Sequence, residues 1–165
     1  MALNMAILNQ KLVSGFTQFN SSEFNAAKHI KDGIQGFIQS CQDPAGGTFS
    51  AMPKINTIET KLANIFSKKG PLGQAIGAEV AQEIDGVFLT LKTSNQIAIV
   101  TNPASLMTDC RKLFGDRPAS GASFGRGLAK AIVDYTSQIT ITAMIPGSPP
   151  VTVTGPPVWQ QEVKK

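Results

Sequence analysis

A chain of 165 residues is long enough to fold as one domain and to hide about two thirds of its unfolded surface, so it needs no disulfide or metal staples. Its charged residues make up 16%, below the roughly 25% of ordinary globular proteins, which suits a surface that partners cover. The formal net charge of +4 serves solubility before it signals an anionic partner, and two cysteines, Cys41 and Cys110, exclude a dense disulfide scaffold.

Residues 1–20 carry Ile7, Leu8, Leu12, Val13, Phe16 and Phe19 in an amphipathic pattern that Gly15 interrupts, and this fits either a helix or an extended arm. Met1–Gln10 has no basic stretch followed by a long apolar core and a small-residue cleavage site, so no signal peptide is expected. No uninterrupted apolar run reaches the roughly 18 residues of a membrane span, and synthesis in a cytoplasm is the default expectation.

Ser21 or Ser22 caps the next helix, with Glu23 complementing its dipole. Phe24, Ala27, Ile30, Ile34, Phe37, Ile38 and Cys41 mark one face, and Asp43-Pro44-Ala45-Gly46-Gly47 stops it. Residues 48–53 read as a loop. Asn56 and Glu59 resemble a capping box, Ile58, Leu62, Ile65 and Phe66 form the face behind it, and Lys68, Lys69 and Gly70 suit the helix end.

Pro71 can open a further helix, in which Leu72, Ile76, Val80, Ile84, Val87, Phe88 and Leu91 recur at helical spacing. Gly73, Gly77 and Gly86 each cost that helix up to about 1 kcal/mol relative to alanine. Accepting the cost implies a close neighbour, another helix or a subunit.

Gln96–Val100 is short and β-branched, a strand and a candidate pairing partner for a ribbon nearer the C-terminus. Asn102 and Pro103 then start a helix with Leu106, Met107, Cys110, Leu113 and Phe114 inward and Gly115 closing it. Both cysteines thus fall on apolar helical faces, where a free thiol packs as a small hydrophobe; a bridge between them stays open.

After a loop at 116–121, Phe124, Leu128, Ala131, Ile132, Tyr135 and Ile139 form one helical face. The period then drops to two. Ile139, Ile141, Ala143 and Ile145 alternate with Thr140, Thr142 and Met144, and beyond Pro146–Pro150 the alternation resumes through Val151, Thr152, Val153 and Thr154. Two strands alone are marginal in water, so this ribbon requires a third strand, a helical floor or a neighbouring subunit.

The expected class is α+β: a mainly helical single domain with a C-terminal antiparallel β ribbon and an extended Pro-rich tail. In outline, 1–20 is the arm or helix, 21–145 the helical body with a short strand near 97–100, 139–154 the ribbon and 155–165 the tail. The tail repeats Pro-Pro-Val, at 149–151 and 156–158, and its polyproline-like character suits docking on another chain. Trp159, the only tryptophan, either folds back on its own domain or anchors an interface.

Enzyme constellations fail on inventory. His29 is the only histidine and reads as a helix-flank residue, and no serine or cysteine sits in a nucleophile-elbow context. One histidine and two distant cysteines do not close a usual zinc site. Glu79 and Glu83, four apart, share a helix face; a solvated face explains them better than acid/base work or a divalent ion. Gly121–Lys130 lacks the P-loop ending and the dinucleotide spacing, so neither catalytic residues, metal nor cofactor is expected.

A basic cluster competes. Arg111, Arg117 and Arg126, all of the chain's arginines, lie close in sequence with Lys112 and Lys130, against only Asp109 and Asp116. Such a cluster contacts phosphates, with Phe124 able to stack on a base, or pairs with carboxylates at a protein interface, or stays a solvated loop.

At Ala129-Lys-Ala-Ile-Val-Asp-Tyr-Thr-Ser-Gln-Ile-Thr-Ile-Thr142, followed by Val/Thr alternation punctuated by Pro and Gly, the chain resembles small virion structural proteins of tailed bacteriophages. The resemblance spans about residues 121–158. It implies a non-enzymatic subunit of a neck, tail or baseplate, or of a related contractile machine, located in the virion and assembled in the host cytoplasm. Partners would be copies of itself, in a ring or layer, and other virion proteins, joined by strand and tail exchange in which the ribbon adds to a neighbour's sheet and the tail clamps another subunit. Read with the residues above, the expected interface comprises Ile139, Ile141, Ile145, Val151, Val153, Val158 and Trp159. The alternative is a nucleic-acid-binding protein using the cluster from Arg111 to Lys130.

Overall fold

The computed structural model describes residues 2–17, 22–68, 72–116, 118–147 and 149–159, with the backbone alone for residues 2–4 and 159. Among the described residues six helices and seven short strands succeed one another as α1 (Ala2–Thr17), α2 (Glu23–Gln39), β1 (Cys41–Gln42), β2 (Phe49–Ala51), α3 (Ile55–Phe66), α4 (Gly73–Leu89), β3 (Lys92–Thr93), β4 (Gln96–Val100), α5 (Ala104–Gly115), α6 (Gly121–Thr136), β5 (Thr140–Ile145), β6 (Val151–Gly155) and β7 (Val158–Trp159). The class is α+β and mainly helical, in a single domain. Residues 1–20 resolve in favour of a helix as far as Thr17, running through Gly15.

Each helix packs on the next in sequence, and α6 closes back on α1, so the helices form a cycle around one core. Two strings of aromatic rings tie it together. Phe37 of α2, Phe88 of α4 and Tyr135 of α6 meet edge to face across the centre, with ring centroids 6.5 and 5.5 Å apart. A second string runs from His29 through Phe16, Phe124 and Phe114 to Phe66, and so touches α2, α1, α6, α5 and α3 in turn.

Close backbone approach explains the glycines. A Cβ at Gly73 or Gly77 of α4 would run into the backbone of Phe114 and Cys110 on α5. The pair Gly121 and Gly125 plays the same part for α6, against the backbone of Phe16 and Leu12 on α1. The close neighbour expected beside Gly73 and Gly77 is therefore a helix of the same chain. Gly86 differs, since only the flexible side chain of Lys54 lies near it.

The ribbon finds its third strand inside the molecule. Strands β4, β5 and β6 form an antiparallel sheet in that order, with Ile99 opposite Ile141, Ala143 opposite Val153 and Ile145 opposite Val151. Ile141 and Ala143 are fully buried on the helical body, and Ile139 just before the strand is buried too. Ile139 and Ile141, expected at an interface, belong to the core, because the inward face of the central strand is covered by its own helices.

Several boundaries shift. Helix α2 ends at Gln39, so Cys41 lies on β1, and Phe24 in the first turn of α2 is exposed. Residues 48–53 contain β2, paired with β3, and β1 pairs with β7. Asn56 falls inside α3, whose cap position is Lys54 with no side-chain cap bond. Asn102 does accept from the amide of Ala104, at 3.2 Å, but Pro103 holds the cap position of α5. Ser22 and Ser120 cap α2 and α6 as N-cap hydroxyls do, accepting from the amides of Asn25 and Ser123. The expectations at Ser21, Lys69, Gly70 and Pro71 lie outside the described residues.

The glycine contrast yields a stability test. Gly77→Ala forces α4 and α5 apart and is expected to cost about 1–3 kcal/mol, at about 2–4 °C of Tm per kcal/mol. Gly86→Ala, with room for the methyl group, is expected to gain up to about 1 kcal/mol through helix propensity. Thermal melts followed by circular dichroism separate the two, and an equal loss in both variants would refute the close-packing account.

Candidate functional site: the three-stranded sheet and its hairpin tip

Alternation along β4–β6 assigns Ala98, Val100, Thr140, Thr142, Met144, Thr152 and Thr154 to the face away from the core. Not one residue of the three strands is charged. Thr142 and Thr154 approach each other across the strands, their hydroxyls 3.4 Å apart. β-Branched residues fit this surface well, yet charges of the kind that blunt open sheet edges are missing from it.

The hairpin joining β5 to β6 overhangs the body. Ile145 and Val151 face each other in the ladder and share the inward side with buried Ile141 and Ala143, yet they are 41% and 54% exposed. The helical floor therefore ends before the tip does. Beside the tip, β4 begins with a register shift between Gln96 and Ala98 that turns Ile97 outward. Ser94, Asn95, Gln96, Ile97, Met144 and Pro146 line a notch of about 300 Å³ there. The amide of Met144 donates to the carbonyl of Asn95 at 2.8 Å and fixes its rim.

Among the described residues, the large apolar side chains standing exposed are Phe24, Leu72, Leu89, Ile97, Val100, Met144, Ile145 and Val151, and the last five all belong to this sheet. Of the expected interface residues, Ile145 and Val151 are at the tip. Val153 and Val158 are half-buried, and the side chain of Trp159 and all of 160–165 lie outside the described residues. The tail itself, as far as described, returns to its own body: Val158 pairs with Gln42 and Trp159 with Cys41.

The basic cluster falls on two neighbouring helices. Arg111, Lys112, Arg126 and Lys130 are exposed on α5 and α6, and Arg117 lies outside the described residues. A groove of about 360 Å³ between these helices includes Lys112 and Lys130, but Asp109, Asp116 and Asp134 line it as well. Lys130 forms an ion pair with Asp134 one turn on, and that hydrogen bond holds its ammonium above the usual lysine range. Carboxylates outnumber ammonium groups in the groove, which makes it a poor track for a polyanion.

Glu79 and Glu83 each take a lysine partner. Lys68 pairs with Glu79, and Lys61 with Glu83 at 3.0 Å, so the two carboxylates stitch α4 to the α3 side of the body. Among the described residues no cluster of His, Cys, Asp or Glu is suited to a metal ion, and no helix is long and apolar enough to cross a membrane.

The sequence gives no sign of the distant partners that Asp85 and Asp43 take up. Tyr135 donates its hydroxyl to Asp85 at 2.6 Å, and burial together with this contact pushes the phenol far above its usual range. Asp43, with no exposed surface, accepts from the amides of Ala45 and Gly47, both at 2.8 Å, and from the hydroxyl of Thr93. Asp-Pro-x-Gly-Gly is the available signal, since aspartate readily bonds to amides two to four residues on, and Gly46 takes the required positive φ of 83°. Both acids are structural.

The cysteines are buried and unbridged. Burial, assisted by the charge of Asp109, pushes the Cys110 thiol up to about 12, and burial raises Cys41 despite an opposing hydrogen bond from Ser40. Below the ordinary thiol range the buried thiol is protonated in the folded and the unfolded chain alike and its stabilising contribution is fully present; above that range the unfolded chain alone ionises, and stability drops as pH rises toward about 12. Native protein at pH 8 is therefore expected to leave a thiol-reactive dye unreacted until denaturant is added, and its Tm is expected to fall as pH climbs through the alkaline range. Rapid labelling of folded protein would contradict the burial of both thiols. In comparisons with known proteins, no family model, no curated protein and no solved structure matches this chain.

Proposed function

We propose that this chain is a non-enzymatic structural subunit of a bacteriophage particle or a related contractile machine, part of a neck, tail or baseplate. It is made in the host cytoplasm and enters the virion by contacts with copies of itself and with other virion proteins. The observation that carries this reading is the concentration of exposed apolar residues on one sheet without a single charge. Such a surface marks a protein–protein contact, because water is a poor neighbour for it and nothing repels an approaching strand.

The need for a neighbour rests on the outward face and the overhanging tip, since β4 already supplies the third strand. The aspartates interleaved with Lys112 and Lys130 weigh against nucleic acid as the main partner.

The test is the mass of the native protein, alone and mixed with the products of neighbouring genes, for the wild type and for Ile145→Lys with Val151→Lys. Placing two ammonium groups opposite each other at the tip is expected to weaken association by tenfold or more, about 1.4 kcal/mol or above, while the helical circular dichroism stays unchanged. A wild type that remains a monomer with every neighbour would overturn the reading. Salt-dependent DNA binding lost on replacing Arg111, Arg117 and Arg126 would put the nucleic-acid alternative in its place.

A further inference from the structure

The last described strand is held by very little. Strand β7 contributes two residue pairs to a ladder with β1, Gln42 opposite Val158 and Cys41 opposite Trp159. A two-stranded pairing of that length is marginal by itself. It is joined to β6 only through Pro156 and Pro157, which fix φ, lack amide protons and make a stiff, extended spacer. Leaving the three-stranded sheet at Gly155, the chain passes beside Pro44 and lands on a different sheet.

The seat it lands on is built without it. Gln42 bridges to Thr48, the amide of Asp43 donates to the carbonyl of Gly47 at 2.9 Å, and the buried Asp43 carboxylate closes the loop and reaches Thr93. Strand β1 is thus presented as a pairing edge whether or not its own chain occupies it. The seat is also imperfectly satisfied, since the Gln42 side-chain oxygen is buried without a hydrogen-bond partner among the described residues.

We propose that residues 158–159 are an exchangeable arm, which in the assembled state pairs with Cys41–Gln42 of a second copy instead of its own. The inference rests on the assembly reading above and adds the partner and the residues it contributes. The same two pairs form in either arrangement, so exchange sacrifices no ladder contact; what opposes it is the effective concentration of the chain's own arm, of millimolar order for a short linker. Exchange therefore requires an assembly that brings Cys41–Gln42 of the second copy within the roughly 7 Å that Pro156 and Pro157 span from Gly155. Free protein is closed and assembled protein exchanged.

Two full-length variants, Gln42→Cys and Val158→Cys, place a thiol on either side of the ladder while the native thiols stay buried. Mixed and oxidised, they are expected to give the mixed disulfide dimer at least tenfold above either like-with-like dimer, increasingly so as protein concentration rises. Replacing Pro156 and Pro157 by serine, which softens the spacer and favours closure, is expected to lower that yield. Mixed dimers no commoner than the two-to-one excess over either like-with-like dimer that random pairing gives, or a variant carrying both Gln42→Cys and Val158→Cys that links only within one chain at every concentration, would overturn exchange. If native mass still reports oligomers in that case, the assembly reading stands alone; a protein monomeric at millimolar concentration removes both.

Discussion

The closeness with which α6 lies along α1 is the constraint on which the rest of the molecule depends. Gly121 and Gly125 leave no side chain between the two helices, and the backbone of Leu12 and Phe16 occupies the space a Cβ would take. That contact closes the cycle. With it closed, Tyr135 reaches Phe88 and Asp85 in the interior, and β5 leaves the end of α6 already aimed across the body. Open it, and Ile139 and Ile141 lose the floor that buries them.

A division of labour between the two sides of the sheet results. Ile141 and Ala143 commit the inward face of β5 to the protein's own core, while the outward face, the hairpin tip and the notch beside it have no cover within the described chain. A protein that only needed to fold would gain from polar residues at Ile97, Val100, Ile145 and Val151. Their exposure on a chargeless sheet is what the proposed assembly role rests on.

How much of this was legible depended on the range of the forces involved. The helices and the Val/Thr ribbon show in the sequence because burial imposes a period of 3.6 or 2 on the side chains themselves. The glycines at 73 and 77 announced a near neighbour through the helix propensity they give up. Period cannot say whose surface covers a face, which is why the interface expected at Ile139 and Ile141 proves to be core. The two-residue ladders β1–β7 and β2–β3 carry no pattern of their own, being fixed by Asp43, whose bonds span a local loop and the distant Thr93. Likewise Asp109 and Asp116 already stand among the basic residues in sequence, but the fold adds Asp134, one turn from Lys130 on α6, and gathers all three carboxylates around the groove that holds Lys112 and Lys130.

The pairing of the first helix with the last has a consequence for how the protein is made. During synthesis at about 5–20 residues per second, α1 emerges several seconds before the glycines that must receive it. Until then, one flank of Leu8, Leu12 and Phe16 meets water or a chaperone, and only α2 is at hand to shelter the other. Ribosome-bound fragments stopping short of residue 121 therefore leave this flank of α1 without its partner, and the circle can shut only once α6 has emerged.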